Sequence, residues 1–182
     1  MQSAEKTAKD IASCTKTPVS ITVHVENISR FANAAGIVSH PLIRNDSPDT
    51  AINKMLSKLI PELESHINTG DIQKFERDAY HYCSEFRIQV EKCVEDILLN
   101  KVVTRFRRSV QTQGRLPALA KIQLEDCEFI DDLMTRYSVF EHSQTHELPT
   151  PLPDILMIKE DTQKLSQWIK TFKTRSLDKM DV

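Results

Sequence analysis

The stretch IQKFERDAYHYCSEFRIQVEKCVEDI, residues 72–97, decides the fold class of this chain. Its apolar residues recur every three or four positions, which is the spacing that places side chains on one face of an α-helix. The repeat continues for about seven turns. The pattern therefore predicts a long amphipathic helix, with an apolar face made of Ile72, Phe75, Ala79, Cys83, Phe86, Val90, Cys93, Val94 and Ile97.

A second helical pattern precedes this stretch. Asp46 or Ser47 can cap a helix that has Pro48 in its first turn, and Pro61 should bend that helix because proline removes a backbone donor. Thr69-Gly70-Asp71 should end it and cap the long helix. Its predicted apolar face consists of Ile52, Met55, Leu56, Leu59, Leu63 and Ile67.

Two more helices are predicted after the long one. Asn100-Lys101 should break the long helix, and a short helical continuation is expected at Val102, Val103 and Phe106. A helix should then run over Leu124–His142, with an inner face of Phe129, Ile130, Leu133, Met134 and Tyr137. The prolines of 148–153 exclude a helix there, and Asp154 should begin the last one, which carries Ile155, Ile158, Leu165, Ile169 and Phe172. These patterns predict a mainly α protein, with an antiparallel bundle of four or five helices over residues 46–182.

The first 45 residues form a different region. Ser3–Cys14 has a short helical pattern, and Pro18–Val25 alternates as a β-branched strand does. Turn-forming residues follow at Ala35-Gly36 and over 40–48. We therefore expect residues 1–45 to be an N-terminal arm that is irregular or contains a single strand.

Composition restricts the function classes. Hydrophobic residues make up 40% and charged residues 27%, with only 3 glycines, which is typical of a helical globular protein. The net charge of −2 argues against a broadly basic nucleic-acid binder. No apolar run is long enough for a membrane span, and residues 1–6 do not resemble a secretory signal, so we expect a cytoplasmic protein with reduced thiols. The four cysteines, three of them on apolar positions of predicted helices, are expected to be buried.

Nucleotide hydrolysis has no recognisable machinery in the sequence. The phosphate-binding GxxxxGK[ST] loop, the GxGxxG and GxSxG motifs and the HExxH zinc motif are all absent. His142 and His146 are four residues apart and could share a metal if the helix continued that far, but no further histidine or cysteine lies near them in the sequence. We expect no metal and no cofactor.

Two pairs of residues are candidates for chemistry. Arg87 and Glu91 are one helical turn apart, and Arg136 precedes His142 at the end of its helix. The first pair could be an ordinary ion pair that contributes about 0.3–0.5 kcal/mol, and His142 could be an ordinary residue at a helix end. Together, however, these residues would suit RNA cleavage without metal, because a histidine can transfer protons near neutral pH while arginines stabilise phosphate charge.

Positive charge accumulates in one segment. No acidic residue occurs between Asp96 and Glu125, whereas basic residues are frequent there. The segment could bind a phosphate backbone, or it could be a solvated region that contacts an acidic partner. Its candidate nucleic-acid-binding residues are Lys101, Arg105, Arg107, Arg108 and Arg115, with Lys121 beyond them.

A family resemblance involves the same region. Residues 35–42 (AGIVSHPL) and 86–112 resemble the C-terminal region of bacterial AAA-family ATPases of the SMC/RecN-like kind, which include PrrC/RloC-type anticodon nucleases. The similarity extends from about residue 21 to about residue 172, and residues 94–113 are its most specific part. The resemblance implies a tail region without its ATPase motor.

The resemblance also implies roles for particular residues. Arg87 and Glu91 match the Arg-x-x-x-Glu pair of these nucleases, with His142 as their histidine, and Arg136 with His142 matches the related HEPN ribonuclease motif. Two hypotheses follow. The chain is either a metal-independent endoribonuclease acting on tRNA-like RNA, or a non-catalytic module that binds a partner ATPase or forms a homodimer through its helices.

Overall fold

The computed structural model describes residues 27–31, 34–39, 43, 46–105, 107–142 and 151–176. The chain divides into two compact units, Met1–Asn45 and Asp46–Val182. In the described part of the first unit, β1 (Asn27–Phe31) pairs antiparallel with β2 (Ala34–Ser39).

This hairpin corrects two expectations for the N-terminal region. Two strands are present where a single strand at most was expected, and Ala35-Gly36 lies inside β2 rather than at a turn. Local propensity did not identify the strands because their pairing register, with Ile28 opposite Val38, is a contact between separate segments. The predicted helix at 3–14 and the predicted strand at 18–25 lie outside the described residues.

The second unit begins with an interrupted helix. It consists of α1 (Pro48–Lys54), a π-helical segment (Met55–Leu59) and α2 (Ile60–Asn68). As predicted, Ser47 caps it by accepting a hydrogen bond from the Thr50 amide. The π segment ends at Leu59, two residues before Pro61, which cannot donate a backbone hydrogen bond, so the chain changes its bonding pattern there.

The long helix is confirmed. It comprises α3 (Ile72–Cys93) followed by a second π-helical segment (Val94–Leu98), and Asp71 caps it. Its predicted apolar face is buried along most of its length, but Ile72 is exposed at the start. The predicted break is also confirmed, because Asn100 and Lys101 adopt positive φ angles of 45° and 57°.

Of the three remaining helices, the last two agree with the sequence analysis in place and in type, whereas the first, a short 3₁₀ helix, was not predicted. They are a short 3₁₀ helix (Leu116–Lys121), α4 (Leu124–His142) and α5 (Ile155–Thr174), whose N-cap is Asp154. The short helical continuation predicted after Lys101 was wrong for Val102 and Val103, which lie in a loop, and Phe106 lies outside the described residues. Apolar character there does not produce a helix because the two positive φ angles redirect the backbone.

Helix α3 lies at the centre of the packing. Its Phe86 ring is 4.6 Å from that of Tyr137 on α4, and its Tyr82 hydroxyl is 2.6 Å from the Thr162 hydroxyl on α5. The mainly α class is therefore confirmed. The largest fully buried side chains are Tyr137, Phe86, Ile52, Met55, Ile60, Leu63, Leu133, Ile158, Leu165, Ile169, Gln89 and Val90.

Two further observations concern the exposure of the cysteines and the character of the helices. Cys83 and Cys93 are buried free thiols, as expected, but Cys127 on α4 is exposed. Cys14 lies outside the described residues. Within the described residues, no helix combines the length and the apolar character that crossing a bilayer requires.

Candidate functional site

The first candidate pair is formed as the spacing predicted. Arg87 Nη2 lies 2.8 Å from Glu91 Oε1, and both side chains are mostly buried, with 14% and 17% of their surface exposed. Arg105, from the loop after α3, also binds the Glu91 carboxylate and that of Glu95. One carboxylate therefore bridges two guanidinium groups.

The two carboxylates stabilise the charge of Arg105. Burial alone would lower the pKa of Arg105, but hydrogen bonds to Glu95 and Glu91 raise it overall. The two carboxylates consequently remain paired with a permanent cation. The arrangement can fix the loop to α3, and it can orient an arginine toward a bound anion.

Arg136 lies in a different ionic cluster. It donates to Asp161 at 2.5 Å and also binds Asp132 one helical turn away. Asp161 is almost fully buried, at 3% exposure, and accepts a further hydrogen bond from the Tyr137 hydroxyl at 3.0 Å. The hydrogen bond to Asp161 raises the pKa of Arg136. Arg136 thus satisfies a buried carboxylate that would otherwise be costly.

The proposed catalytic residues therefore have separate partners. The structure brings Arg87 and Glu91 together, whereas Arg136 is bound to carboxylates of α4 and α5. The backbone of His142 ends α4, but its side chain lies outside the described part of the chain, as does His146.

The five basic candidates fall into two groups. Lys101 lies 3.8 Å from Asp96, Arg105 binds Glu91 and Glu95, and Arg115 donates to backbone carbonyl groups. Arg107 and Arg108 are exposed, and neither side chain forms an ion pair within the described ranges. Among the five candidates, these two arginines are therefore the ones whose guanidinium groups are available to a partner.

Arg107 and Arg108 lie in a loop whose ends are joined, which we call the 100–115 loop. The side-chain amide of Asn100 donates to the backbone carbonyl of Arg115 at 3.2 Å. Arg115 Nη1 donates to the backbone carbonyl of Lys101 at 3.1 Å. A backbone bond from Gln111 to Val102 crosses the loop at 2.9 Å. Compact loops with closed ends and few secondary-structure bonds are frequent functional sites.

The 100–115 loop also exposes apolar side chains. Val103 is 52% exposed and Val110 is 61% exposed, and Leu116 just beyond the loop is 47% exposed. Sequence reasoning identified the arginines but missed these valines as surface residues, because it placed Val103 in a helix. Spacing alone could not have identified them, because the apolar residues of 102–110 recur at the three- and four-residue steps of a helix.

An apolar groove borders the start of the loop. It has a volume of about 410 Å³ and lies between the end of the long helix and α4. Leu98, two residues before Asn100, contributes to it. The apolar part of its lining consists of Val94, Leu98, Cys127, Ile130 and Met134.

No known protein family matches this sequence, and comparison with curated proteins and with solved structures found no match to either.

Proposed function

We propose that the helical unit is a non-catalytic interaction module that binds an acidic and partly apolar face of a partner protein through the 100–115 loop. The observation that carries the proposal is the pair of exposed arginines, Arg107 and Arg108, next to exposed Val103 and Val110. The closed ends of the loop support it, because an ordered loop loses less conformational entropy on binding.

The mixed chemistry of the loop favours protein over nucleic acid. Phosphate binding uses cationic and hydrogen-bonding groups, and exposed valines add nothing to it. Protein interfaces instead combine apolar contact with arginine, which is enriched in them. Both classes of contact are present on this loop.

The ionic clusters support the same proposal. Arg87 and Arg136 are each bound to protein carboxylates, and Arg136 compensates a buried charge. An arginine that stabilises phosphate during cleavage must direct its donors at the substrate. In this structure those donors are directed at Glu91, Asp132 and Asp161.

The partner class follows from the resemblance and from the charge. A cytoplasmic ATPase of the SMC/RecN-like kind is the first candidate, since the chain resembles the tail of such proteins. A second copy of the chain is the other, because the net charge of −2 leaves acidic surface for the loop to bind.

Site-specific photo-cross-linking in the cells that make the protein tests the proposal. A photoreactive amino acid replaces Val110 in the loop, and Leu156, 66% exposed at the start of α5, is the matched control position. We expect a discrete protein adduct from position 110 and none from position 156, with the adduct identified by mass spectrometry. RNA adducts at position 110, or equal protein labelling from both positions, would contradict the proposal.

A metal-independent endoribonuclease is the second candidate function. The contact between Arg87 and Glu91, with Arg105 on the same carboxylate, favours it because the pair matches the nuclease motif. Arg87 and Arg136 would bind phosphate, Glu91 would orient the site and His142 would transfer protons.

Cleavage of total tRNA in the presence of EDTA separates the two candidates. An active wild type that loses cleavage in folded Arg87→Ala and His142→Ala variants would establish the nuclease. The interaction-module proposal predicts no cleavage by any of the three proteins.

A further inference from the structure

Three potential metal ligands converge where α2 meets α3. Glu62 and His66 are four residues apart on α2 and share one helical face. Asp78, on α3, faces them across the turn at 69–71. One potential ligand atom from each residue lies within 4.8 Å of the other two, and His66 Nε2 is 3.1 Å from Asp78 Oδ2.

The environment of the cluster suits a cation. The His66 side chain is 8% exposed and that of Asp78 is 28% exposed, whereas Glu62 is open to solvent. Arg77 donates to the other oxygen of Asp78 at 2.9 Å, which leaves Oδ2 directed at His66. The exposed Glu62 leaves a path for an ion to enter.

We propose that Glu62, His66 and Asp78 bind one divalent transition-metal ion of the Zn²⁺ class, with water completing the coordination. One imidazole nitrogen and two carboxylate oxygens suit Zn²⁺, whereas Mg²⁺ and Ca²⁺ prefer oxygen ligands alone. His66 would bind the ion through Nε2 as a neutral imidazole that keeps its one proton on Nδ1, and an imidazolium would first release its second proton to solvent. No oxidation or reduction is involved.

The site would join two consecutive helices. Glu62 and His66 are near the end of α2, and Asp78 is in the second turn of α3, so a bound ion links the helices on both sides of the turn. A ligand that binds only the folded state raises its stability in proportion to the logarithm of ligand concentration. The ion would therefore act as a structural clamp, independent of the 100–115 loop.

Titration of the metal-free full-length chain with Zn²⁺ by calorimetry tests this inference, with Co²⁺ absorption as a spectroscopic probe of the ligands. We expect one ion per chain at this site and a rise in Tm. Glu62→Gln should weaken binding at least about ten-fold, since ligand and outer-shell losses cost 10–100-fold in metal affinity. Glu76→Gln, an exposed acid on α3, is the matched control and should leave binding unchanged.

His66→Gln adds a second variant at the buried ligand. It should alter the Co²⁺ absorption because the nitrogen ligand is lost, and Glu62→Gln decides the question if His66→Gln does not fold. Absence of binding by the wild type would overturn the inference. Binding that is equal in wild type, Glu62→Gln and Glu76→Gln would overturn it as well, because the ion would then be held elsewhere.

Discussion

Arginine is a residue type that is common at catalytic sites, but Arg136 has a structural role. Its guanidinium neutralises Asp161, which is 3% exposed, and bridges to Asp132 on its own helix. Removal of one partner from a buried ion pair leaves the other charge buried and unpaired. The loss of stability is then larger than the net stability that the intact pair contributes.

We predict that Arg136→Ala lowers the free energy of unfolding by about 2 kcal/mol. The cost stays below that of a fully buried pair because Tyr137 continues to donate to Asp161. Urea denaturation measures it, with Arg107→Ala as the matched control on an exposed arginine, expected within about 0.5 kcal/mol of wild type. Equal effects of the two substitutions would contradict a structural role for Arg136.

Asp126 gives the fold a dependence on pH. It is 3% exposed and accepts hydrogen bonds from Trp168 Nε1 at 2.9 Å, from the Gln123 amide and from Arg175. Burial alone would raise the pKa of Asp126, but the bonds from Arg175, Gln123 and Trp168 lower it overall. A carboxyl with a lowered folded-state pKa stabilises above its unfolded pKa, and this contribution is lost as the pH falls through the folded-state pKa.

Asp126→Asn should therefore reduce stability by about 2 kcal/mol at pH 7. The difference from wild type should shrink below about pH 4, where the unfolded carboxyl becomes protonated. Unfolding curves at a series of pH values measure this, and Glu125→Gln, an exposed neighbour, is the control. A difference that stays constant from pH 7 to pH 2 would show that charge is not its cause.

At the scale of elements, the helices were largely predictable and the connections were not. Caps at Ser47, Asp71 and Asp154 and the apolar faces identified the helices, because both signals are local in sequence. The β1–β2 hairpin and the path of the 100–115 loop depend on contacts between distant residues, which a local pattern does not encode. At Pro61 the sequence predicted a bend, but it did not predict that the preceding turn would be π-helical.

The same distinction applies to the candidate site. The spacing of Arg87 and Glu91 predicted their contact, since residues four apart meet on a helix. It could not predict Arg105 as the third member, because that residue is 14 positions from Glu91 and arrives through a loop. Glu62 and His66 have the same four-residue spacing, but only the packing of α2 on α3 brings Asp78 to them.

The 100–115 loop carries a prediction at this scale. Arg115→Ala removes the bonds to the Asn100 and Lys101 carbonyls that hold the loop ends together. We expect faster amide hydrogen exchange at Gln111, whose amide bonds to Val102 across the loop, with Tm nearly unchanged because the loop contributes little to the core. Arg108→Ala is the control, and equal exchange at Gln111 in both variants would show that Arg115 does not close the loop.

At the scale of the whole molecule, the arginines differ in whether they form ion pairs. The half-buried arginines satisfy carboxylates of neighbouring helices, as Arg136 does between α4 and α5 and Arg175 does between α5 and α4. Arg107 and Arg108 of the 100–115 loop have no such role within the described residues. We therefore propose a recognition role for Arg107 and Arg108 and a stabilising role for Arg87 and Arg136.

The most direct test of this recognition role reverses the charges of the loop. It then measures the yield of the protein adduct from the photoreactive residue at position 110. The measurement compares Arg107→Glu/Arg108→Glu with Lys58→Glu/Lys74→Glu, which reverses two exposed lysines on other helices and matches the change in net charge. We predict at least about a ten-fold loss of adduct for the loop variant, which corresponds to about 1.4 kcal/mol, and no loss for the lysine variant. Equal yields from the two variants would contradict the proposed recognition role, because the partner would then not recognise the arginines of the loop.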